Sequence, residues 1–211
     1  MARPQPVKTE RLLLEPFSEK FLTRRYVAWL NDDAVTAFSR HRHGRHTIAS
    51  CREYFNGMLK AGNILWAMVV RDDPSLGHIG NIAAYFDRAN GIADVTVLIG
   101  EPAAQGRGYA SEAWFAACDW LFEKAGMRKI TAGTMETNVA MRAIMKRAGM
   151  VEDGRRARHY LQGGGEVDLV YAALFRENWL KRRGLTLTRP RTNRTRSRAR
   201  RRASPSARRR P

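Results

Sequence analysis

Cysteine is scarce in this chain: Cys51 and Cys118 are its two examples in 211 residues. Each sits in a segment of helical pattern and no metal-ligand spacing joins them, which argues against a disulfide framework and points to buried thiols of a reducing compartment. No apolar run approaches membrane-spanning length, and the opening MARPQPVKTERL lacks the apolar core of a secretory leader, so a cytoplasmic protein with no transmembrane segment is expected. Two nucleotide-binding signatures are missing, the Gly-rich loop ending in Lys-Ser/Thr and the three-glycine dinucleotide fingerprint. Ser111 has no elbow with accompanying His and carboxylate, and the histidines of SRHRHGRHT show no zinc spacing. No internal repeat is present. Acid is absent from residues 181–211, which hold 14 of the 38 Lys and Arg, leaving 24 basic against 20 acidic side chains elsewhere. The formal charge of +18 is therefore mostly a property of the tail. Rich in Arg, Ser, Thr and Pro and nearly free of large apolar side chains, that tail is expected to be disordered in isolation. It suits contact with RNA, a ribosome surface or acidic membrane by charge, or serves as a solubilising extension.

What is present divides into two periods. TERLLLEP alternates and stops at Pro16 as a first strand, and SEKFLTRRYVAWLND carries Phe21, Leu22, Val27, Trp29 and Leu30 at helical spacing. SRHRHGRHT is polar and predicts a loop. Ser50 followed by Glu53 predicts a capping box for a helix whose apolar face includes Tyr54, Phe55, Met58 and Leu59 and which stops before Gly62. ILWAMVV, HIGNIAAYF and IADVTVLIG then predict strands most simply joined antiparallel. Beyond them the pattern becomes strand, helix, strand, helix, strand. YASEAWFAACDWLFEKAG places Ala110, Ala113, Trp114, Ala117 and Leu121 on one stripe, RKITAGTM is a strand, NVAMRAIMKRAG a helix ending at Gly149, and EVDLVYAALF a late strand. The fourth and fifth strands are thus expected to be parallel neighbours joined by a right-handed crossover, within one α/β domain on a mixed sheet.

Between them lies AAQGRGYASEAWFAACDWLF. Gly106 and Gly108 let the chain bend or bring its amides close to a ligand, the free N–H groups of the following helix attract phosphate, and Arg107 adds charge. A tight turn with no ligand is the alternative on local grounds.

QGRGYA resembles the pyrophosphate-binding turn of the GCN5-related N-acetyltransferase superfamily, with Gln105, Gly108 and Ala110 on its three pattern positions. The likeness extends in order over about residues 9 to 180. ERLLLEP is similar to the opening strand of the branch acting on ribosomal proteins and related amines, HIGNI to its central hairpin, and TMETNVAMRAIMKRAGMVEDG to the second cofactor segment, with Asn138 at the asparagine position. DLVYAALFRENW resembles the closing strand and final helix. The resemblance implies a single-domain α/β acetyltransferase fold: a mixed, mostly antiparallel twisted sheet of six or seven strands, splayed central parallel strands and flanking helices. Residues 1–8 then form an extension, 9–180 the domain and 181–211 the basic tail. It further implies acetyl-CoA as donor, a small-molecule primary amine as acceptor, direct transfer, and a homodimer of the kind common among relatives. A protein N-terminal acetyltransferase with a ribosome-directed tail and a non-catalytic RNA-binding protein are the competing readings.

Residue by residue, the resemblance assigns Val97, Leu98 and Ile99 to the splayed strand that meets the pantetheine arm. Gln105, Gly106, Arg107, Gly108, Tyr109 and Ala110 form the pyrophosphate cradle, and Asn138 contacts the pantetheine region. Met141 is cofactor-facing or core, and Lys146 with Arg142 suits either the 3′-phosphate or a solvated helix face. Asp94, an acid in an otherwise apolar strand where relatives carry Glu, is the candidate base, against a solvated edge aspartate. Many members carry a tyrosine acid seven residues after the asparagine; here that position is Met145, which has no proton to donate, so either another hydroxyl such as Tyr160 or Tyr171 serves or the thiolate leaves without a dedicated acid. YVAWLNDDAVTAFSRHRHGRHT resembles the acceptor-side helices of enzymes acting on nucleotide-linked amino sugars. Asp32 and Tyr85 are candidates to border the amine, against a helix-ending turn and a cover for the sheet, and Arg40 and Arg42 are candidates to meet phosphates, against a solvated basic loop.

Overall fold

The computed structural model describes residues 4–184. The tail expected to be disordered lies, from residue 185 onward, outside the described residues. In chain order the elements are β1 (Val7–Lys8), β2 (Leu12–Pro16), α1 (Arg24–Leu30), α2 (Asp33–Thr36), α3 (Ile48–Lys60), β3 (Ile64–Val70), β4 (His78–Asp87), β5 (Ile92–Ile99) and α4 (Tyr109–Glu123). They continue with β6 (Lys129–Met135), α5 (Val139–Ala148), β7 (Val151–Gln162), β8 (Gly165–Phe175) and α6 (Arg176–Arg182). The described strands form one eight-stranded sheet in the order β1-β2-β3-β4-β5-β6-β8-β7. Every neighbouring pair is antiparallel except β5 with β6, the pair joined through α4, as the switch of hydrophobic period predicts.

Both faces of the sheet are covered, which is why β3 reads as a continuous apolar run rather than an alternating one. On one face α4, α5 and Trp179 of α6 bury Leu12, Trp66, Ile82, Val95, Ile130 and Leu174. On the other, α1 and α3 pack Tyr26, Trp29, Phe55 and Met58 against Leu65, Ala67 and Ala83. The α4 stripe predicted from sequence is buried at Ala113, Trp114, Ala117 and Leu121, with Tyr109, Cys118 and Phe122 added. Burying side chains of the larger kind contributes about 1.5–3 kcal/mol each. Cys51 and Cys118 are buried and free, one in each core.

Three local expectations change. The capping box of α3 lies one turn earlier: Thr47 accepts from the Ser50 amide at 3.1 Å and the Ser50 hydroxyl accepts from the Thr47 amide at 2.9 Å. Hydroxyls on both sides complete the reciprocal pair, so no Glu is required. Within the polar loop, residues 40–43 form a 3-10 turn capped by Ser39. The largest omission is β7. Its face carries no apolar alternation because it is an exposed edge strand, and its register slips twice, around Gly154 and between Arg156 and Tyr160. At the second slip Arg158 has φ 51°, held there by its amide donating to the Asp168 carboxylate at 2.8 Å.

The sheet opening and the face bearing Asp94

Strands β5 and β6 share a ladder over three residues only, Ile92 with Lys129, Ala93 with Ile130 and Asp94 with Thr131. Beyond that point β5 stays paired to β4 as far as Ile99 opposite Gly80, while β6 follows β8 as far as Met135 opposite Leu169. The strands therefore diverge into a V, leaving the β6-facing backbone groups of residues 95–99 without a strand partner. Such groups are the polar edge that an extended amide-bearing chain can satisfy. Val97 and Ile99 lean toward the α4 face and Leu98 toward the α1–α3 face. The end of β5 is locked in place: a Cβ on Gly100 would stand 2.1 Å from the Trp29 ring.

At the mouth of the V the chain turns into α4. Gln105 ends a 3-10 turn, and Gly106 (φ 72°) and Gly108 (φ 83°) take left-handed conformations that other residues reach only with strain. No side chain caps α4 at Gly108, so its first amides remain available, with the helix dipole behind them. A Cβ on Gly106 meets nothing within 4 Å, which shows open space beside the turn. The turn is fixed from behind by Arg11, which pairs with Glu112 at 2.7 Å and donates to the Arg107 carbonyl at 3.0 Å. Arg11 lies 4.6 Å and Arg107 5.4 Å from the center of the buried Tyr109 ring. Arg147, in the last turn of α5, donates to the Ser111 hydroxyl. Cationic groups thus flank free helix amides, a combination suited to phosphate. Ala110 is half-buried in the first turn of α4. Arg11 and Arg147 escaped the sequence reading because each is distant in sequence from the glycine turn.

On the opposite strand, Asn138 caps α5: its side chain accepts from the Met141 amide at 3.1 Å and donates to the Thr134 hydroxyl at 3.0 Å. Met141 packs against the core, Met145 is buried within it, and Lys146 is exposed. The tyrosine position of the resembled family is therefore filled by packing.

Asp94 faces the α1–α3 side. It accepts from the Thr131 hydroxyl at 2.7 Å, and burial raises its pKa above the ordinary aspartate value against the lowering effect of that hydrogen bond. Directly opposite on β4 is Tyr85, whose hydroxyl is 2.6 Å from that of Tyr54 on α3. Burial pushes the Tyr54 hydroxyl well above the ordinary tyrosine range, so this hydroxyl keeps its proton. Gly133, two residues beyond Thr131, is covered by the Tyr171 ring: a Cβ there would lie 2.9 Å from it. Tyr160 is more distant, on β7, with Arg42 5.7 Å over its ring and His159 beside it. Arg42 also donates to the carbonyls of Ser39 and Leu161. Asp32 is engaged as the cap of α2, accepting from the amides of Ala34 and Val35, and Arg40 is exposed in the 3-10 turn. The structure thus brings Asp94 and Tyr85 together with Thr131, Tyr54 and Tyr171, and leaves Asp32 and Arg40 on the rim. Thr131 and Tyr54 lay in segments whose pattern spoke only of strand and helix. Among the described residues no cluster of three metal-ligating side chains occurs, and no helix is long and apolar enough to cross a membrane.

Residues 11–151 match the family model described as Acetyltransferase (GNAT) domain. An uncharacterised N-acetyltransferase of Bacillus subtilis (strain 168), YnaD, is 26% identical over 176 residues, spanning 82% of this chain and 98% of its own length. The spermidine N-acetyltransferase of Vibrio cholerae, solved in complex with CoA and spermine, superposes with a TM-score of 0.71 at 16% identity over 82% of this chain and 99% of that one. The ribosomal L7/L12 alpha-N-protein acetyltransferase RimL, solved with coenzyme A, gives 0.71 at 13% identity over 81% and 98%.

Proposed function

The chain belongs to the acetyltransferase (GNAT) domain family, and from that we propose that it acetylates a primary amine at the expense of acetyl-CoA. The observation that carries this reading is the V between β5 and β6 ending at an uncapped, glycine-led helix. When bound, acetyl-CoA supplies an activated acetyl thioester. Residues 106–110, with Arg107 and Arg147 nearby, hold the phosphates; the free edge of Val97–Ile99 orients the amide-bearing arm, alongside Asn138 and Met141. Asp94 takes the proton of the acceptor ammonium, a role favoured by its raised affinity for a proton and by Thr131, which fixes the carboxylate. Tyr171, on the same face and nearer than Tyr160, holds the proton that meets the departing thiolate.

The acceptor is a small-molecule amine, and nucleotide-linked amino sugars fit the arginines of the acceptor side. Calorimetry with acetyl-CoA tests the donor: absence of binding at high micromolar concentration removes the enzyme reading. A CoA-release screen over amino sugars and their nucleotide conjugates, polyamines and N-terminal peptides tests the acceptor; release with peptides alone replaces the small-molecule reading by protein N-terminal acetylation. The basic composition of residues 181–211 favours one addition, contact with RNA or a ribosome surface. Removing those residues is expected to abolish salt-sensitive RNA binding and to leave turnover of a small amine unchanged.

A further inference from the structure

Strand β7 carries three nearby arginines, and the structure treats them differently. Arg155 pairs with Glu136 at 2.9 Å and with Asp168 at 2.6 Å, and Arg158 lies 3.5 Å from Glu166. Arg156 has no carboxylate within ion-pair distance among the described residues and instead stacks 5.3 Å over the Tyr171 ring. Arg42 shows the same state from the other side of the cleft, without a carboxylate partner among the described residues and stacked on Tyr160.

The register places both on the face that bears Asp94. Asp94 is opposite Thr131, Thr131 opposite Ala173, and Tyr171 follows two residues along β8 on that face. Arg156 is opposite Leu169 and Tyr160 opposite Val167, the next two positions of the same alternation. Despite the slip between Arg156 and Tyr160, both point to the side of the sheet where Asp94 lies. Strand spacing of ~4.8 Å and a rise of ~3.3 Å per residue put Gly133, beneath the Tyr171 ring, about 8 Å from Asp94 before the splay is added. The gap from carboxylate to the Arg156 guanidinium is then on the order of 10 Å.

We propose that the acceptor is an amine carrying a phosphate group, whose ammonium meets Asp94 and whose phosphate meets Arg156, with Arg42 as a second contact. This rests on the acetyl-transfer reading and adds the acceptor's second functional group. Guanidinium groups match phosphate oxygens in forked pairs, and stacking on a tyrosine orients the fork in advance. A carboxylate partner would cancel that attraction, which is why Arg155 and Arg158 do not serve. Two uncompensated guanidiniums also disfavour a polyamine, whose second ammonium would sit against them.

The test is calorimetry on the full chain saturated with CoA, so that the donor's own phosphate site is filled. Phosphoethanolamine is compared with ethanolamine, glucosamine 6-phosphate with glucosamine, and a uridine-diphosphate-linked amino sugar with the free sugar. The expected result is a preference of about tenfold or more for at least one phosphorylated partner, as charge-assisted hydrogen bonds give. Arg156→Ala reduces it to about twofold or less, Arg156→Lys restores part of it, and the ion-paired control Arg158→Gln leaves it unchanged. Equal affinity within every pair, failure of every phosphorylated amine to bind at millimolar concentration, or a preference that survives Arg156→Ala overturns the phosphate assignment. CoA binding in the same titrations separates that outcome from failure of the acetyltransferase reading, in which CoA itself does not bind.

Discussion

Replacing Thr131 by Val tests whether Asp94 is the base through a change that leaves the carboxylate itself in place. Val is nearly isosteric and suits a strand, so the sheet is retained and one interaction is lost, the 2.7 Å hydrogen bond donated to Asp94 Oδ2. That bond favours the charged carboxylate, in opposition to burial, which favours the neutral acid. A hydrogen bond to a charged group is worth about 1.5–3 kcal/mol, equivalent to a factor of about ten or more in proton affinity. Asp94 works as a base only when ionised, so activity falls as pH drops through its pKa. Its raised pKa places this limb above that of an ordinary aspartate, and Thr131→Val is expected to move it further up by about one pH unit. Rates at alkaline pH, where both proteins are ionised, should change little. The assay is kcat/KM by CoA release from pH 4 to 9, with Asp94→Asn expected to lose about 100-fold and the limb with it. A limb at the same pH in Thr131→Val, or a full rate in Asp94→Asn, refutes Asp94 as the base.

Other consequences follow from the same geometry. Gly106→Ala adds a methyl that meets no atom, so its effect is the left-handed backbone alone, about 1 kcal/mol, read as a several-fold weaker acetyl-CoA affinity by calorimetry with near-normal melting. Gly100→Ala drives a methyl into the Trp29 ring and is expected to cost more than about 3 kcal/mol in chemical denaturation, with loss of the acceptor-side core. His78 lies among Phe17, Phe21, Tyr26 and Trp29 with Nε2–H donating to the Gly80 carbonyl, and burial lowers its pKa. Its neutral form is thus the folded form: the stability it contributes is present above the unfolded histidine pKa and is lost as pH falls through the lowered folded value. Melting midpoints measured below about pH 6.5 should decline less in His78→Gln than in the unaltered protein.

The fold was legible where local chemistry and long-range packing agree. The change from antiparallel hairpins to strand-helix-strand predicts the one parallel pair, and the glycine turn announces the start of α4 because left-handed backbone is a requirement written in residue type. β7 was illegible for the opposite reason. Its exposed edge has no apolar period and its register slips twice, and the second slip, at an arginine with positive φ, depends on Asp168 from the neighbouring strand. The site divides in the same way. Asp94 stood out as an acid in an apolar strand, whereas Thr131, Tyr54 and Arg156 acquire meaning only when the register sets them beside Asp94, Tyr85 and Tyr171.

Strand β5 presents two different faces within one short segment. Its odd positions, Ala93, Val95, Val97 and Ile99, face the core under α4, while Asp94 and Leu98 face the α1–α3 side. A strand that remained paired with β6 along its whole length would keep these sides apart as two surfaces of a closed sheet. Because pairing stops at Asp94, the free backbone edge between them opens toward both the amides of α4 and the Asp94 carboxylate. In the proposed reaction, the place where the ladder ends is where the donor arm and the amine meet. Slipping the β5–β6 register by one residue would place Asp94 opposite a neighbour of Thr131 and on the other face of the sheet relative to that partner, since successive side chains alternate faces. Asp94 is consequently tied to the last rung of the parallel ladder, and the catalytic reading of this carboxylate is inseparable from the topology that produces the V.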